Sequence, residues 1–360
     1  MTFQSRRMPS FVIGLLSATL LVSCGGGGDG ASGRTASVWL IPVDEVIDGG
    51  PGVDGIPSID VPLFEAISAN TDSDPEGLVI GLKHNGRTKA YPHDIMTWHE
   101  IVNDDRNTAN ALVLSFCPLT GTAMAWQSHE DFGRTTFGTS GLLYNNNLIL
   151  YDRATGSHWS QMLQMAVEGE RIREELPRLQ VVETKLSTWQ TMYPDSEFMT
   201  RETSYSRDYD ITPYGNAYTS NQILLFPISN DDNRLRRKIR VVGIRSDTAS
   251  RVYQISGFGP TTQTINDDFE GTAIVVVGNS DLQFGVIYNR RLDDGSILNF
   301  TPRQGDLPNV MQDDEGNVWD ILGLATSGPR AGAQLHMTRS YTAMWFAWAT
   351  YFVDAEIYFN

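Results

Sequence analysis

The sequence predicts a β-rich α+β protein built from two degenerate tandem β-sheet units, with a few short helices and a C-terminal apolar helix. Three observations carry the prediction. Short motifs recur at an offset of about 162 residues, and the segments between turns alternate apolar and polar residues. The third is the run SYTAMWFAWATY at 340–351, which is apolar on all sides and about three turns long. Such a run favours a buried helix packed on the sheets.

The recurring motifs keep their order over about eighty residues, which indicates a tandem duplication. The matching segments are 81–83 with 243–245, 102–105 with 265–268, 111–116 with 273–278, 123–126 with 285–288, and Trp159 with Trp319. The predicted organisation is a first repeat at 35–186, a connecting segment at 187–236, and a second, degenerate repeat with the C-terminal helix at 237–360.

Residues 1–23 predict a secretory signal peptide of the lipoprotein type. Arg6 and Arg7 supply its positive charge, and the apolar stretch 11–22 is too short to cross a bilayer core of about 30 Å as a helix. The segment ends in LVSC at 21–24, which resembles the lipobox cut by the lipoprotein signal peptidase. We therefore expect the mature protein to begin at a lipid-modified Cys24 and to hold the bilayer through its acyl chains.

A glycine-rich tether at 24–34 follows the expected cleavage site and carries almost no side chains that pack. Gly25 after the lipidated cysteine resembles the sorting signal that sends lipoproteins to the outer membrane of a Gram-negative host. The expected location is the cell envelope, either the outer membrane facing the periplasm or the cell surface.

The composition limits the kinds of partner that the protein can bind. The chain has a formal net charge of −16 at pH 7, so nucleic acid and anionic lipid headgroups repel it. It has two cysteines, and lipidation consumes Cys24. Cys117 is then a lone thiol in a compartment where thiols are usually paired.

The two repeats differ in their reactive residues. The first contains a predicted helix after Pro92 that carries His99 and Glu100, and Cys117 ends a predicted strand at 111–117. The second has Thr262, Gln263 and Asn279 at the matching positions. This difference indicates that the first repeat holds a site and the second serves as a framework.

Three functions remain open for Cys117. In an enzyme, Cys117 is a nucleophile or redox thiol, with His99 as base, Glu100 or Asn103 as orienting group, and the turn amides at 120–122 as oxyanion donors. As a metal protein, Cys117 and His99 bind copper or zinc, completed by His93, His158 or Met124. As a binding or assembly lipoprotein, it keeps a structural cysteine.

Six ordered blocks, among them AYPHDIMTWHEIVND (90–104), SFCPLTGTAMAW (115–126) and GTSGLLYNNNLILYDRATGSHWSQ (138–161), resemble the family called domain of unknown function 3179. The family has no established activity, so the resemblance implies no reaction. Thr120 stands where the family often has a second cysteine, which argues against a dithiol site. The motif positions that would line a pocket for a small-molecule ligand are Asn103, Thr122, Tyr144, Asn145, Trp159 and Gln161.

Overall fold

Short runs of β-branched and aromatic residues, separated by Gly and Asn turns, form 26 strands and three helices of seven residues in the part of the chain that the structure describes. The structure is a computed structural model that describes residues 37–128 and 135–359. The predicted signal peptide, Cys24 and the tether lie outside the described residues. Within the described ranges, no helix is long and apolar enough to span a membrane.

The strands of the first half form three sheets. The first sheet has the order β13-β3-β4-β14-β2, with bounds Val181–Lys185, Leu78–His84, Arg87–Pro92, Glu197–Met199 and Phe64–Ala66. The second has the order β12-β7-β6-β5, with bounds Arg178–Leu179, Thr122–Gln127, Leu112–Cys117 and Ile101–Asp104. The third has the order β1-β8-β9-β10-β11, with bounds Val46–Asp48, Phe137–Tyr144, Asn147–Asp152, His158–Ser160 and Met165–Glu168.

The second half repeats this arrangement in three sheets of four strands. The first is β25-β15-β16-β26, with bounds Ser340–Met344, Arg240–Arg245, Ser250–Gln254 and Glu356–Tyr358. The second is β17-β18-β19-β24, with bounds Gln263–Phe269, Thr272–Asn279, Phe284–Asn289 and His336–Met337. The third is β20-β21-β22-β23, with bounds Phe300–Pro302, Asn309–Asp313, Val318–Asp320 and Ala325–Ser327.

The helices occupy connections between strands. They are α1 (His93–His99), α2 (Leu186–Met192) and α3 (Trp345–Tyr351). Helix α2 leads into β14, which pairs in parallel with β4, and α3 leads into β26, which pairs in parallel with β16. Both halves therefore close their first sheet in the same way, and β14 and all of α2 except Leu186 lie within the predicted connecting segment.

The predicted α+β class is wrong. The protein is mainly β, because its helices are short links between many strands. The predicted three-turn C-terminal helix is also wrong: Ser340–Met344 is the strand β25, buried over most of its length, and the helix that follows has only seven residues. An apolar run on its own is compatible with a buried strand as well as with a buried helix. Here residues 340–344 form a strand because they pair with β15.

Helix α1 ends earlier than its sequence pattern indicates. Its last helical residue is His99, and Glu100 follows in the left-handed conformation with φ of 59°. This turn reverses the chain, so Val102 lies in strand β5 and not on the helix. At the matching place in the second half, the glycine-rich sequence forms only a 3-10 turn, Ile255–Phe258.

The core joins the two halves. One buried cluster contains Val113 and Trp126 of the first half together with Val241 and Trp345 of the second. The two faces of β6 pack into different clusters: Val113 and Cys117 into this one, and Leu112, Leu114 and Phe116 into another. Because successive side chains of a strand point to opposite faces, Cys117 shares the face of Val113 and lies in the shared core.

Candidate functional site

Several polar residues of the first half have a counterpart in the second that makes the same bonds. Asn103 donates to the Phe137 carbonyl at 2.9 Å and accepts from the Phe137 amide at 2.8 Å. Asn266 makes both bonds to Phe300 at 2.8 Å. Asn103, which the family motif offered as a ligand residue, is therefore engaged in holding two sheets together.

Trp159 has the same kind of duplicate. Its indole nitrogen donates to Asp152 at 3.1 Å, and that of Trp319 donates to Asp313 at 2.8 Å. Phe137 packs edge-on against the Trp159 ring as Phe300 does against Trp319. Because the second half keeps this arrangement without the reactive residues, we assign Trp159 to the scaffold.

A buried polar network beside Cys117 belongs to the first half alone. The Asn147 amide donates to Gln161 Oε1 at 2.7 Å and to Thr120 and Thr122, and Gln161 donates to Ser115 at 3.0 Å. All five side chains are essentially inaccessible to solvent. The matching positions of the second half include the apolar residues Val277, Phe284 and Ile321. The side chains of Thr122 and Gln161 therefore hydrogen-bond to each other within this buried network and do not line a ligand pocket.

Cys117 lies at the edge of this network and is 1% exposed. Its sulfur is 3.5 Å from the carbonyl oxygen of Asn146. Burial, and next the charge of Glu100, raise the pKa of the Cys117 thiol to about 11. A thiol in this state is protonated at neutral pH, whereas an activated nucleophile needs a lowered pKa and access to substrate.

The His99 ring makes its hydrogen bonds to residues other than Cys117. Its Nδ1 lies 2.8 Å from the Pro57 carbonyl oxygen, and its Nε2 lies 2.8 Å from the Tyr209 hydroxyl. Burial lowers the pKa of His99, which keeps the ring neutral. Both ring nitrogens are used in this way, so the geometry does not support His99 as the base of a Cys–His pair.

Glu100 is the ionisable group whose charge acts on Cys117. Its carboxyl accepts a hydrogen bond of 2.9 Å from the Tyr214 hydroxyl, and its main-chain carbonyl accepts from the Phe116 amide at 2.7 Å. Burial raises the pKa of Glu100 to about 7, although the bond from Tyr214 lowers it. A buried acid on a left-handed backbone next to a thiol is an arrangement that the spacing of the sequence did not reveal.

Tyr144 and Asn145 begin the turn between β8 and β9, and the chain between β14 and β15 crosses this turn. Asn145 accepts from the Ser229 amide at 2.8 Å, and Asn146 donates to the Phe226 carbonyl at 2.8 Å. The main-chain carbonyl of Tyr144 accepts from Tyr351 at 2.9 Å. The side chains of Asn145 and Asn146 therefore hold the crossing segment, residues 200–239, which we call the strap, whereas the Tyr144 carbonyl bonds to α3.

The residues offered for copper or zinc have other partners. His158 Nδ1 lies 2.7 Å from Glu168, and the Met124 sulfur accepts from Gln164 at 3.4 Å. Within residues 37–128 and 135–359, no group of three or more His, Cys, Asp or Glu side chains could hold a metal ion. The donor set predicted for a soft metal is thus not assembled around Cys117.

A cleft of about 440 Å³ lies instead between α1 and the strap. The residues that line it and carry polar side chains include Ser73, His93, Asp94, Thr97, Arg201, Tyr209, Asp210 and Tyr218. Tyr218 lies within hydrogen-bond reach of Thr97, and its pKa is raised to about 12 by burial. No sequence pattern predicted this cleft, because the strap and α1 are more than 100 residues apart. The signal that could have located it was the predicted helix after Pro92, which the glycine-rich second half does not match.

His93 is one of the buried side chains of this lining, 8% exposed, and its ring packs on Phe116 at 4.2 Å between centroids. Its Nε2 lies 3.2 Å from Glu183 Oε2 without hydrogen-bond geometry. In the described part of the chain, the buried atoms His93 Nε2, Ser73 Oγ and Arg201 Nε have no hydrogen-bond partner. These three are among several such atoms in the described part of the chain, and the residues that carry them line one cleft.

Comparison with known proteins adds one relationship. Neither the curated proteins nor the solved structures contain a match to this chain. The model of one protein family matches residues 53–355, a range that includes both halves, the strap and α1. The chain belongs to that family, described as protein of unknown function (DUF3179).

Proposed function

We propose that this protein is a lipid-anchored binding protein of the cell envelope, which holds a small-molecule ligand in the cleft between α1 and the strap. The observation that carries the proposal is the cleft itself, which is lined by α1, a helix whose counterpart in the second half is only the short 3-10 turn Ile255–Phe258. Its volume falls within the range of about 300 to 1,000 Å³ typical of ligand pockets.

The state of Cys117 supports a binding protein over a thiol enzyme. The sulfur is buried in the shared core, its pKa is raised to about 11, and His99 bonds elsewhere. In this proposal Cys117 is a small core residue next to a satisfied polar network, and Cys117→Ser preserves ligand binding.

The anchor in this proposal is Cys24, which places the protein at the outer membrane facing the periplasm or at the cell surface. Its support is the signal pattern of residues 1–24. In cells fed a labelled fatty acid, the wild-type chain should take up label and Cys24→Ala should not. Cys117→Ala is the matched control and should keep the label; labelling of Cys24→Ala would refute the anchor.

Ligand binding is tested on full-length protein extracted from its own membranes in mild detergent. Native mass spectrometry should detect a bound small molecule on the wild-type protein and on Cys117→Ser. His93→Phe, which keeps the ring that packs on Phe116, should lose it. An adduct lost in Cys117→Ser but kept in His93→Phe would favour a thiol-centred function, and protein without any adduct would contradict the binding proposal.

A further inference from the structure

The first part of the strap, residues 201–218, is built like a lid, and we call it the lid. It contains no strand, and its one regular element is the 3-10 turn Gly215–Ala217. Its hydrogen bonds between main-chain groups stay within the strap. Of its residues, Tyr209 is the one that is buried. A segment with so little burial and no ladder to a sheet opens at a lower cost in free energy than the strands around it.

Side-chain contacts to α1 and to the residue that ends it hold the lid in place. The pairs, with the lid residue first, are Arg201 with Asp94, Tyr209 with His99, Ile211 with Trp98, Tyr214 with Glu100, and Tyr218 with Thr97. All the partners lie within residues 94–100, on one helix and its C-terminal cap. A change in one of these pairs therefore bears on the attachment of the whole lid.

Glu100 is the partner whose charge can change without a counter-charge nearby. Its side chain is buried under the lid, and its carboxyl accepts the hydrogen bond from Tyr214 at 2.9 Å. The other ionisable group that faces it is the Cys117 thiol of β6, and the ring of the adjacent His99 is neutral and bonds elsewhere. In the described part of the chain Glu100 has no ion-pair partner. A negative charge at this place is therefore stabilised by little more than one hydroxyl.

The neutral and the ionised carboxyl of Glu100 favour different positions of the lid. The neutral acid is compatible with burial under Tyr214, whereas the carboxylate gains hydration when the lid lifts and water reaches it. Burial raises the pKa of Glu100 from 4.5 to about 7 in the closed arrangement. The closed lid thus holds the proton more tightly than an open one, and closure is favoured less as the pH rises from about 4.5 to about 7.

We propose that residues 201–218 form a pH-gated lid over α1, which the neutral Glu100 side chain keeps closed through Tyr214 and which the Glu100 carboxylate releases. The lid residues that line the cleft include Tyr209, Asp210, Ile211, Thr212 and Tyr218. Opening of the lid therefore widens the cleft. As a control of ligand access this inference rests on the proposed binding function, whereas the movement itself needs no ligand.

Amide hydrogen exchange of the full-length protein in mild detergent, with no ligand added, measures the opening. Mass spectrometry follows the exchange at pH 5.5 and pH 7.5, with labelling times scaled for the faster intrinsic exchange at the higher pH. The hydrogen-bonded lid amides of Ile211, Gly215 and Tyr218 should lose about 20-fold in protection between the two pH values. Strand β18 should stay better protected than the lid at both. Equal protection of the lid and β18 would show that the whole molecule opens, and would overturn the lid.

Three variants identify the group that controls the lid. Glu100→Gln keeps the shape of the neutral acid and does not ionise, so the lid should be as well protected at pH 7.5 as at pH 5.5. Glu202→Gln removes an exposed carboxylate of the lid itself and should respond to pH as the wild type does. Tyr214→Phe loses the bond to Glu100 and should lower the protection of the lid at pH 5.5 about threefold to tenfold. Circular dichroism in the near ultraviolet establishes that each variant is folded.

Failure of the lid and failure of the binding function are distinguishable. If the protection of the lid does not fall between pH 5.5 and pH 7.5, or falls as much in Glu100→Gln as in the wild type, the gate is overturned and ligand binding in the cleft still stands. If the native protein carries no adduct but the lid responds to pH through Glu100, the binding function falls and the lid is supported.

Discussion

Asn103 and Asn266 make the same two hydrogen bonds in the two halves, each to the amide and carbonyl of one phenylalanine, but only Asn103 is buried. Asn103 is 1% exposed, whereas Asn266 lies at the surface of β17. The duplicated scaffold therefore contains a natural comparison of one interaction in two environments.

Asn103→Leu should lower the free energy of unfolding by about 2 kcal/mol or more, because it leaves buried main-chain groups of Phe137 unpaired. Asn266→Leu should cost about 1 kcal/mol or less, because Asn266 is exposed and Thr264 still donates to the Phe300 carbonyl at 3.3 Å. Urea unfolding of the two variants measures both values. Equal costs would mean that burial does not govern this interaction.

A second duplicated pair tests the packing of the first sheets. A Cβ atom on Gly81 would overlap the ring of Trp189, and one on Gly243 would overlap the ring of Trp348. Gly81→Ala and Gly243→Ala should each destabilise the protein by about 1 to 3 kcal/mol, since both tryptophans are fully buried and must shift. Thermal unfolding provides the measurement.

Gly257→Ala is the matched control for that pair, because its Cβ would meet only ordinary van der Waals contact. It should change the free energy of unfolding by less than about 0.5 kcal/mol. Wild-type stability in Gly81→Ala would show that Trp189 can rearrange, which would contradict the close packing of α2 on β3.

Glu100 should make stability depend on pH. Its pKa is raised from 4.5 to about 7 in the folded protein, so the folded state holds this proton more tightly than the unfolded chain. The stabilising contribution is complete below about pH 4.5 and is lost as the pH rises to about 7, a change of about 3 kcal/mol. Urea unfolding across this range should show it, and Glu100→Gln should remove that part of the pH dependence.

Tyr214→Phe tests the same site from the strap. The Tyr214 hydroxyl donates to Glu100 and lowers the pKa of this carboxyl, against the larger effect of burial. Removing the hydroxyl should raise the pKa further and move the loss of stability to higher pH. A shift to lower pH, or none, would show that the hydroxyl does not control the ionisation of Glu100.

The sequence predicted those parts of the fold that depend on local pattern. The alternation in 111–117 gave strand β6 and the two faces that pack into separate clusters. The offset between Trp159 and Trp319 gave residues that make the same bond in the two halves. The run at 340–351 was misjudged, because an apolar segment does not itself distinguish a buried strand from a buried helix.

The candidate site was less predictable, because its contacts join distant parts of the chain. His99 bonds to Pro57 and Tyr209, and Glu100 bonds to Tyr214. Each of these partners lies between about 40 and 115 positions away along the chain, and the nearest, Pro57, is 42 positions from His99. All three stand in segments without a helical or strand pattern. Sequence spacing predicted that His99 and Cys117 act together, whereas tertiary packing gives each of them different partners.

The last prediction concerns the reactivity of Cys117. In a Cys24→Ala background, the thiol should react with iodoacetamide at pH 8 at least about 100-fold more slowly in the folded protein than in urea. The cause is the rise of its pKa from 9.0 to about 11, which lowers the thiolate fraction, together with burial of the sulfur. Thr248→Cys in a Cys24→Ala, Cys117→Ser background places a thiol at an exposed position and should react at the rate of a free cysteine. If folded Cys117 instead reacts as fast as that surface thiol, the sulfur is accessible and activated, and a catalytic role for Cys117 would replace the structural one.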